Sequence, residues 1–362
     1  MARREGEDLE TRRITLDRIS SATRNAALSQ EVTIGSDVVA REGYIIAVRI
    51  LTAKFSYNTL EDVAGRMLPL HRGDLMAGVL GSRSALRGYA GEVPSKISTG
   101  DTLNVLNLGG VLGRCTSINP ELGPPFDAEV LGAVLAYPHF GDRVGEPAHI
   151  MAGALAPTDV LKCDKPVIYV AGTCMNSGKT VAATEIIHWL VRRGLRVAGC
   201  KATGVSLMRD TLGMQDSGAF ATASFNEVGL ASTRATDGAP IARALLNHLS
   251  EKEPDVIVAE LGDGILGEYG VAGILRDQGL MSLACCHVLC APDPVAVYGA
   301  HICYAREFGL PIHVVAGPVT DNQVGRDYIQ GTLGLAAHNA RYDIEGLAAV
   351  VFKRLEERLK CR

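Results

Sequence analysis

Long apolar runs and paired metal-binding cysteines are both missing from this chain of 362 residues. A helix that crosses a bilayer needs about 18 or more consecutive apolar residues, and no such run occurs, so we expect no membrane association. The first residues are charged and polar, so we expect no secretory signal peptide. The nine cysteines form no Cys-x-x-Cys pair, so we expect free thiols in a cytoplasmic protein and no zinc site.

A strong excess of one charge sign is also missing. The net charge is −4, which disfavours a nucleic-acid-binding protein, because such proteins neutralise phosphates with many cations. Basic residues do cluster near the start, but acidic residues alternate with them. We therefore predict that residues 1–25 form a flexible, solvated tail and not a binding arm.

The length and the hydrophobic content predict two domains, since 47% of the residues are hydrophobic and each half can bury a core. Before residue 160, glycine-rich turns separate short strand-like runs, and amphipathic helices are scarce. We predict a β-rich, barrel-like domain over residues 26–160. Its clearest strands are expected at Tyr44–Leu51, Asp74–Leu80, Thr102–Leu108 and Ala128–Tyr137.

Strands and helices alternate after residue 165, which predicts an α/β domain with a mainly parallel sheet over residues 165–362. A first helix is expected over 181–193 and a last, amphipathic helix over 344–360. Strands are expected at Val167–Ala171, Val197–Cys200, Val256–Glu260, His287–Ala291 and Ile312–Ala316. The stretch 156–166 contains two prolines and is the predicted domain boundary.

One glycine-containing segment lies between the first of these strands and the first helix, and reads Gly-Thr-Cys-Met-Asn-Ser-Gly-Lys-Thr over residues 172–180. Backbone N–H groups at such a turn attract phosphate oxygens, and the helix N-terminus adds positive potential. Lys179 is placed to reach the transferred phosphate, and the Thr180 hydroxyl to bind Mg²⁺. We therefore predict a P-loop NTPase domain that binds ATP and Mg²⁺ through Gly172, Thr173, Asn176, Ser177, Gly178, Lys179 and Thr180.

The position of the first glycine indicates a family. It lies at Gly172, one residue earlier than the usual spacing, and Thr173 follows it. This Gly-Thr-x-x-x-x-Gly-Lys-Thr form resembles dethiobiotin synthetase and the cobyrinic acid amide synthetases. Lys201 ends the second strand, where the resemblance implies a lysine that faces the substrate and the transferred phosphate. Glu260 begins Glu-Leu-Gly-Asp-Gly, which resembles a Glu-Gly-x-Gly-Gly motif whose glutamate helps to hold Mg²⁺.

The sequence departs from the dethiobiotin enzymes after Lys201, where they carry proline and this chain has Ala202. The pattern Lys-x-Thr-Gly, with Asp210 and a later Gln-Asp-Ser-Gly-Ala that contains Asp216, is more similar to a P-loop family with an added N-terminal domain that includes a D-glutamate N-acetyltransferase. By their place after the second strand, Asp210 and Asp216 are candidates for a second metal-proximal carboxylate. The resemblance covers about residues 165–345 and leaves the β-rich domain unassigned.

Three functions follow from these residues. The first is an ATP- and Mg²⁺-dependent synthetase or kinase that phosphorylates a small carboxylate-bearing substrate, with Lys179, Lys201 and Glu260 as catalytic residues. The second is an acyl-CoA-dependent N-acyltransferase that uses the same loop for the phosphates of CoA. The third is a nucleotide-dependent switch or maturation factor. We also expect a homodimer or higher homo-oligomer, as in related synthetases, with no nucleic-acid partner.

Overall fold

The computed structural model describes residues 11–360 and divides them into two compact units. The first, here called the β unit, contains residues 11–154 together with two short segments from later in the chain, Val205–Met208 and Gly229–Ser232. The second, the α/β unit, contains the remaining described residues from Leu155 onward. The sequence indicated a boundary within 156–166, but it gave no sign of the two later segments.

The β unit contains thirteen strands. In chain order they are β1 (Thr11–Thr15), β2 (Arg18–Ile19), β3 (Glu31–Gly35), β4 (Ile45–Ile50), β5 (Thr59–Glu61), β6 (Met67–Pro69), β7 (Leu75–Leu80), β8 (Arg83–Ser84), β9 (Tyr89–Glu92), β10 (Thr102–Val105), β11 (Val111–Ile118), β12 (Phe126–Ala136) and β13 (Glu146–Pro147). Short 3₁₀ helices occupy Ser21–Ala26 and Pro120–Leu122. The expected strands all occur. Strands β4, β7 and β12 lie within two residues of their predicted bounds, and β10 ends three residues before its predicted end.

Five strands of the β unit pair in a closed circuit. Strand β12 pairs with β4, β4 with β7, β7 with β11, β11 with β10, and β10 again with β12. This is the connectivity that a small barrel requires, although the barrel-like shape itself stays a prediction. Apolar side chains that alternate along these strands fill two hydrophobic clusters within the unit.

The predicted flexible tail is wrong for residues 11–25. Residues 11–15 form β1, which pairs antiparallel with β3 over five residues, and the 3₁₀ helix begins at Ser21. Backbone hydrogen bonds to β3 stabilise this charged stretch as a strand. Its composition does not indicate this pairing. Residues 1–10, which hold the rest of the predicted tail, lie outside the described part of the chain.

The α/β unit contains a seven-stranded sheet in which every pair of strands is parallel. Its strands are β14 (Val167–Gly172), β15 (Val197–Thr203), β16 (Ala221–Ser224), β17 (Val256–Leu261), β18 (Ala284–Cys290), β19 (Val314–Ala316) and β20 (Ala336–Ala337). Its helices are α1 (Lys179–Arg192), α2 (Arg209–Asp216), α3 (Gly238–Ser250), α4 (Val271–Arg276), α5 (Gln278–Ser282), α6 (Pro294–Cys303), α7 (Gln323–Leu333) and α8 (Ile344–Lys360). Single turns of 3₁₀ or π helix lie at Phe225–Val228, Tyr304–Phe308 and Pro318–Thr320. The predicted α/β class and parallel sheet are confirmed.

The order of the strands places β14 at a switch point. The sheet runs β16-β15-β17-β14-β18-β19-β20, so the chain leaves β14 toward one edge and later returns to its other side. Crevices at the carboxyl ends of strands beside such a point are where open α/β sheets bind ligands. Strands β14, β15 and β17 are buried along their whole length, as expected of strands covered on both faces.

Helix α1 shows how the local sequence produces this layer. Ala182, Ile186 and Leu190 recur at helical spacing and are buried against the sheet. The helix ends at Arg192, and Gly194 has the positive φ of 83° that commonly terminates helices. The last helix, α8, has the predicted bounds and places Leu347, Val351 and Leu355 in the same core.

No helix among the described residues is long and apolar enough to span a membrane. The eight cysteines in residues 11–360 are free thiols, and most of them are buried. Burial raises the pKa of the Cys200 and Cys285 thiols to about 12. These thiols are therefore neutral, packed side chains of the α/β unit at physiological pH.

Candidate functional site

The segment Gly172–Thr180, here called the phosphate loop, joins the end of β14 to the start of α1. Two of its residues have left-handed backbones: Asn176 with a φ of 59°, and Gly178, the N-cap of α1, with a φ of 93°. Such conformations turn successive N–H groups toward one point and form an anion-binding concavity. The loop therefore has the position and the backbone that phosphate binding requires.

The unusual position of the first glycine has a steric reason. A Cβ on Gly172 would lie 2.2 Å from the Ser177 hydroxyl oxygen and 2.9 Å from two carbons of the Lys179 side chain. The Lys179 stem thus passes directly over the Gly172 backbone. A glycine at 172 is what allows this lysine to fold back over the loop.

Lys179 is buried, with 6% of its surface exposed, although it carries a charge. Its ammonium group donates to the carbonyl oxygen of Cys174 at 2.8 Å, inside the loop itself. Buried charges require partners, and here the loop provides a neutral carbonyl in place of a carboxylate. The Lys179 ammonium group is thus held at the centre of the loop by a neutral acceptor.

Thr180 and Glu260 meet at the carboxyl ends of β14 and β17. The Thr180 hydroxyl donates to Glu260 Oε1 at 2.9 Å, and the Glu260 side chain is only 2% exposed. Its second oxygen, Oε2, is buried and has no hydrogen-bond partner within the described residues. Burial and the neighbouring Asp210 carboxylate raise the pKa of Glu260 against the opposing effect of Lys201 and Lys179.

Lys201 and Asp210 form a buried ion pair beside this glutamate. Lys201 lies opposite Glu260 in the β15–β17 register, and its ammonium group donates to Asp210 Oδ2. Burial opposes the charge on each member, but the pairing outweighs it. The pKa of Lys201 is therefore raised and that of Asp210 is lowered. Sequence-predicted residues from three segments thus form one cluster of two cations and two carboxylates.

The remaining predicted residues have more varied positions. The Thr173 amide donates to the Cys290 carbonyl at 3.1 Å, which anchors the start of the loop to β18. Asp216 is exposed at the last turn of α2, about 9 Å along the helix from Asp210 at 1.5 Å per residue. The structure does not bring Asp216 to the cluster, so we leave it out of the proposed site.

A contact that the sequence did not indicate comes from the turn after β19. A Cβ on Gly317 would lie 2.2 Å from the Ser177 carbonyl oxygen, and one on Gly178 would lie 3.0 Å from the Gly317 Cα. Gly264, in the predicted Glu-Leu-Gly-Asp-Gly motif, also approaches the loop, since a Cβ there would lie 2.5 Å from the Thr173 carbonyl oxygen. Glycines that follow β17 and β19 therefore pack against the phosphate loop. A Gly-Pro pair directly after an apolar strand, as at Gly317-Pro318, is the available sequence signal.

Comparison with known proteins finds no matching family model and no matching curated protein. Among solved structures, chloroplast FtsY from Physcomitrella patens is similar over 56% of this chain and 70% of its own, with 12% identity and a TM-score of 0.36. The 54 kDa signal recognition particle protein from Aeropyrum pernix, in complex with GDP, matches over 58% and 52% of the two chains, with 17% identity and a TM-score of 0.35. A DUF1611 family protein from Anabaena variabilis matches over 53% of this chain and 58% of its own, with 15% identity and a TM-score of 0.37.

This chain thus spans about half of the signal recognition particle protein. These similarities are too low to carry an argument about function. The resemblance to the dethiobiotin synthetases and to the N-acetyltransferase family stays a prediction.

Proposed function

We propose that the α/β unit binds a nucleoside triphosphate with Mg²⁺ and promotes transfer of its γ-phosphoryl group. The observation that carries this proposal is the pairing of Thr180 with Glu260 at the mouth of the phosphate loop. The hydroxyl follows the loop lysine directly, and the carboxylate comes from the adjacent strand β17. These are the two protein groups that a nucleotide-bound metal requires at such a loop.

The side chains present fit Mg²⁺. This ion prefers oxygen ligands and usually binds through one or two carboxylates together with substrate phosphates, while keeping several waters. The buried Oε2 of Glu260, without a partner in the described residues, supplies one such oxygen, and the Thr180 hydroxyl supplies another. When bound, the ion would neutralise charge on the phosphate oxygens.

Lys179 and the start of α1 would stabilise the nucleotide itself. The Lys179 ammonium group would exchange its contact with the Cys174 carbonyl for a phosphate oxygen, which is the stronger, charge-assisted partner. The backbone N–H groups of the loop and of the first turn of α1 would then point at the phosphates. These donors would act on the negative charge that the phosphate oxygens carry during transfer.

The kinase or synthetase and the nucleotide-dependent switch differ in the group that accepts the phosphoryl group. A kinase or synthetase acting on a small carboxylate needs Lys201 to hold the acceptor, and Lys201 lies beside Glu260 in the cluster. The ammonium group of Lys201 is nevertheless already neutralised by Asp210. This pairing favours the second candidate, a nucleotide-dependent switch or maturation factor, in which water is the acceptor. Transfer from acyl-CoA, the choice of ATP and a homodimeric state stay predictions.

The test is to incubate the full chain with ATP or GTP, with and without Mg²⁺, and to measure phosphate release. We expect nucleotide binding and Mg²⁺-dependent release. Stimulation by small carboxylates, with phosphate transferred to them, would support the kinase or synthetase. Slow release that no small carboxylate changes would support the switch. Absence of nucleotide binding under all these conditions would contradict the proposed function.

A further inference from the structure

Two short segments of the later chain belong to the β unit, and one of them adjoins the Lys201–Asp210 pair in sequence. Val205 and Ser232 form an antiparallel bridge, and the Ser206 amide donates to the Ala231 carbonyl at 2.9 Å. Val205 and Ala231 pack in a hydrophobic cluster of the β unit. The segment Val205–Met208 follows β15, which carries Lys201, and directly precedes α2, whose second residue is Asp210.

Glu61 of β5 binds the end of this segment. Its side chain is fully buried, and Oε2 accepts a hydrogen bond from the Met208 amide at 2.7 Å. The Glu61 amide donates to the Leu108 carbonyl at 2.7 Å, which fixes the strand that carries the carboxylate. Glu61 thus holds the backbone one residue before α2 begins.

Asn107 binds the middle of the same segment. It is 1% exposed, its Nδ2 donates to the Ser206 carbonyl at 2.6 Å, and its Oδ1 accepts from the Val111 amide at 3.0 Å. A Cβ on Gly109 would lie 2.1 Å from the Ser206 carbonyl oxygen. The segment is therefore held at Ser206 and Met208 by buried side chains that belong to no part of the phosphate loop.

We propose that Glu61 and Asn107 are positioning residues for phosphoryl transfer, which set the placement of the Lys201–Asp210 pair by fixing Val205–Met208. This inference rests on the function proposed above. The segment joins the two members of the pair, so displacement of Met208 displaces the start of α2 and with it Asp210. The pair lies beside Glu260, the proposed Mg²⁺ ligand, so its misplacement would disturb the charges around the metal site in either candidate function. Nucleotide affinity depends on Lys179 and Thr180, which lie in a different stretch of the chain. We therefore expect displacement of Val205–Met208 to leave nucleotide affinity nearly unchanged.

The experiment compares Glu61→Ala with Glu61→Gln, since glutamine keeps a carbonyl oxygen that can accept from Met208. We expect Glu61→Ala to lower kcat about 10- to 100-fold, as misplacement of about 1 Å does, with nucleotide KM changed less than about threefold. Glu61→Gln should recover most of kcat. Asn107→Asp, which removes the donor to Ser206 but keeps the acceptor for Val111, should behave like Glu61→Ala. Glu129→Gln, which removes the charge from a partly exposed ion pair with Arg49 in the same unit, is the control.

Hydrogen exchange provides a readout that needs no turnover. In Glu61→Ala the amides of residues 205–210 should exchange faster, while those of β17 stay protected. Unchanged kcat and unchanged exchange in Glu61→Ala and Asn107→Asp would overturn the proposal. So would a loss of kcat that Glu61→Gln does not reverse, or one that Glu129→Gln shares. If the wild-type chain shows no turnover, the proposed function fails, and the exchange data alone decide whether Glu61 fixes the segment.

Discussion

At the scale of single residues, Lys179 has the simplest expected effect. Its buried ammonium group contacts the Cys174 carbonyl and is the one cation inside the phosphate loop itself. We expect Lys179→Ala to lower the turnover rate at least about 10²-fold, equivalent to ~2.7 kcal/mol, because the charge on the transferred phosphate loses its counterion. The measurement is steady-state phosphate release at saturating Mg²⁺.

The matched control is Lys162→Ala, which removes an exposed lysine from the same unit. We expect its turnover to equal that of the wild-type chain, and both variants to unfold in a single transition near the wild-type temperature. Near-normal turnover in Lys179→Ala would mean that the loop is not the catalytic nucleotide site.

Glu260 provides a separate test of the metal site. Glu260→Gln keeps an oxygen that can accept from Thr180 but removes the negative charge that a cation requires. We expect the Mg²⁺ concentration for half-maximal activity to rise about tenfold or more, the equivalent of about 1.4 kcal/mol, with nucleotide affinity less affected. Mg²⁺ titration of activity measures this shift. Glu251→Gln, at an exposed site, is the control, and superimposable curves for all three proteins would make Glu260 a structural residue.

At the scale of elements, the turn from β14 to α1 depends on Gly172. A methyl group there would overlap the Ser177 hydroxyl and the Lys179 stem, so we expect Gly172→Ala to abolish nucleotide binding and to destabilise the fold by about 1–3 kcal/mol. Gly331, in α7, faces open space, since a Cβ there would meet no atom within 4 Å. Gly331→Ala should stabilise the protein by up to about 1 kcal/mol. Nucleotide binding is measured by calorimetry, and the stability of both variants by thermal unfolding. Normal nucleotide binding by Gly172→Ala would contradict the packing argument.

Strand β18 makes stability depend on pH through His287. Burial, followed by the neighbouring His313, lowers the pKa of His287 from 6.5 to about 4. The unfolded chain therefore takes up a proton below about pH 6.5 that the native protein does not take up until about pH 4. Stability should fall as pH decreases through that interval, by about 3 kcal/mol for this group. Below about pH 4 the contribution of His287 changes no further.

The measurement is the free energy of unfolding in urea at several pH values between 7 and 4, compared with His287→Gln. Glutamine cannot take up the proton, so the loss of stability across this interval should be smaller in the variant. His188→Gln, at an exposed position of α1, should keep the wild-type slope. Equal slopes in His287→Gln and the wild-type chain would show that other groups cause the acid sensitivity.

At the scale of the whole molecule, the two later segments of the β unit determine what a truncated protein can do. A fragment of residues 165–362 would lack the strands against which Val205 and Ala231 pack. We expect a folded or marginally stable fragment that still binds nucleotide through the phosphate loop but has lost turnover. Circular dichroism, nucleotide titration and phosphate release test this against the full chain. Full turnover by the fragment would show that the β unit does not support the chemistry.

The sequence by itself determined the α/β class, the phosphate loop and the bounds of α8, because each depends on local order. Alternating strands and helices, a Gly-Lys-Thr at a strand–helix turn and an apolar stripe at helical spacing can all be read within about twenty residues. It also indicated Glu260, since residues at the carboxyl ends of parallel strands converge on one edge of a sheet. Lys201 was indicated by the resemblance to known families, and Asp210 and Asp216 were candidates by their place after the second strand.

Only the tertiary structure decided which of these groups meet. The pairing of Lys201 with Asp210, the exposure of Asp216 and the contact of Gly317 with the phosphate loop depend on strand order and helix direction, which no local pattern encodes. The antiparallel pairing of residues 11–15 and the inclusion of Val205–Met208 in the β unit depend on partners far along the chain. Backbone N–H and C=O groups in such stretches form hydrogen bonds with segments that are distant in sequence. The local composition does not indicate which segments these are.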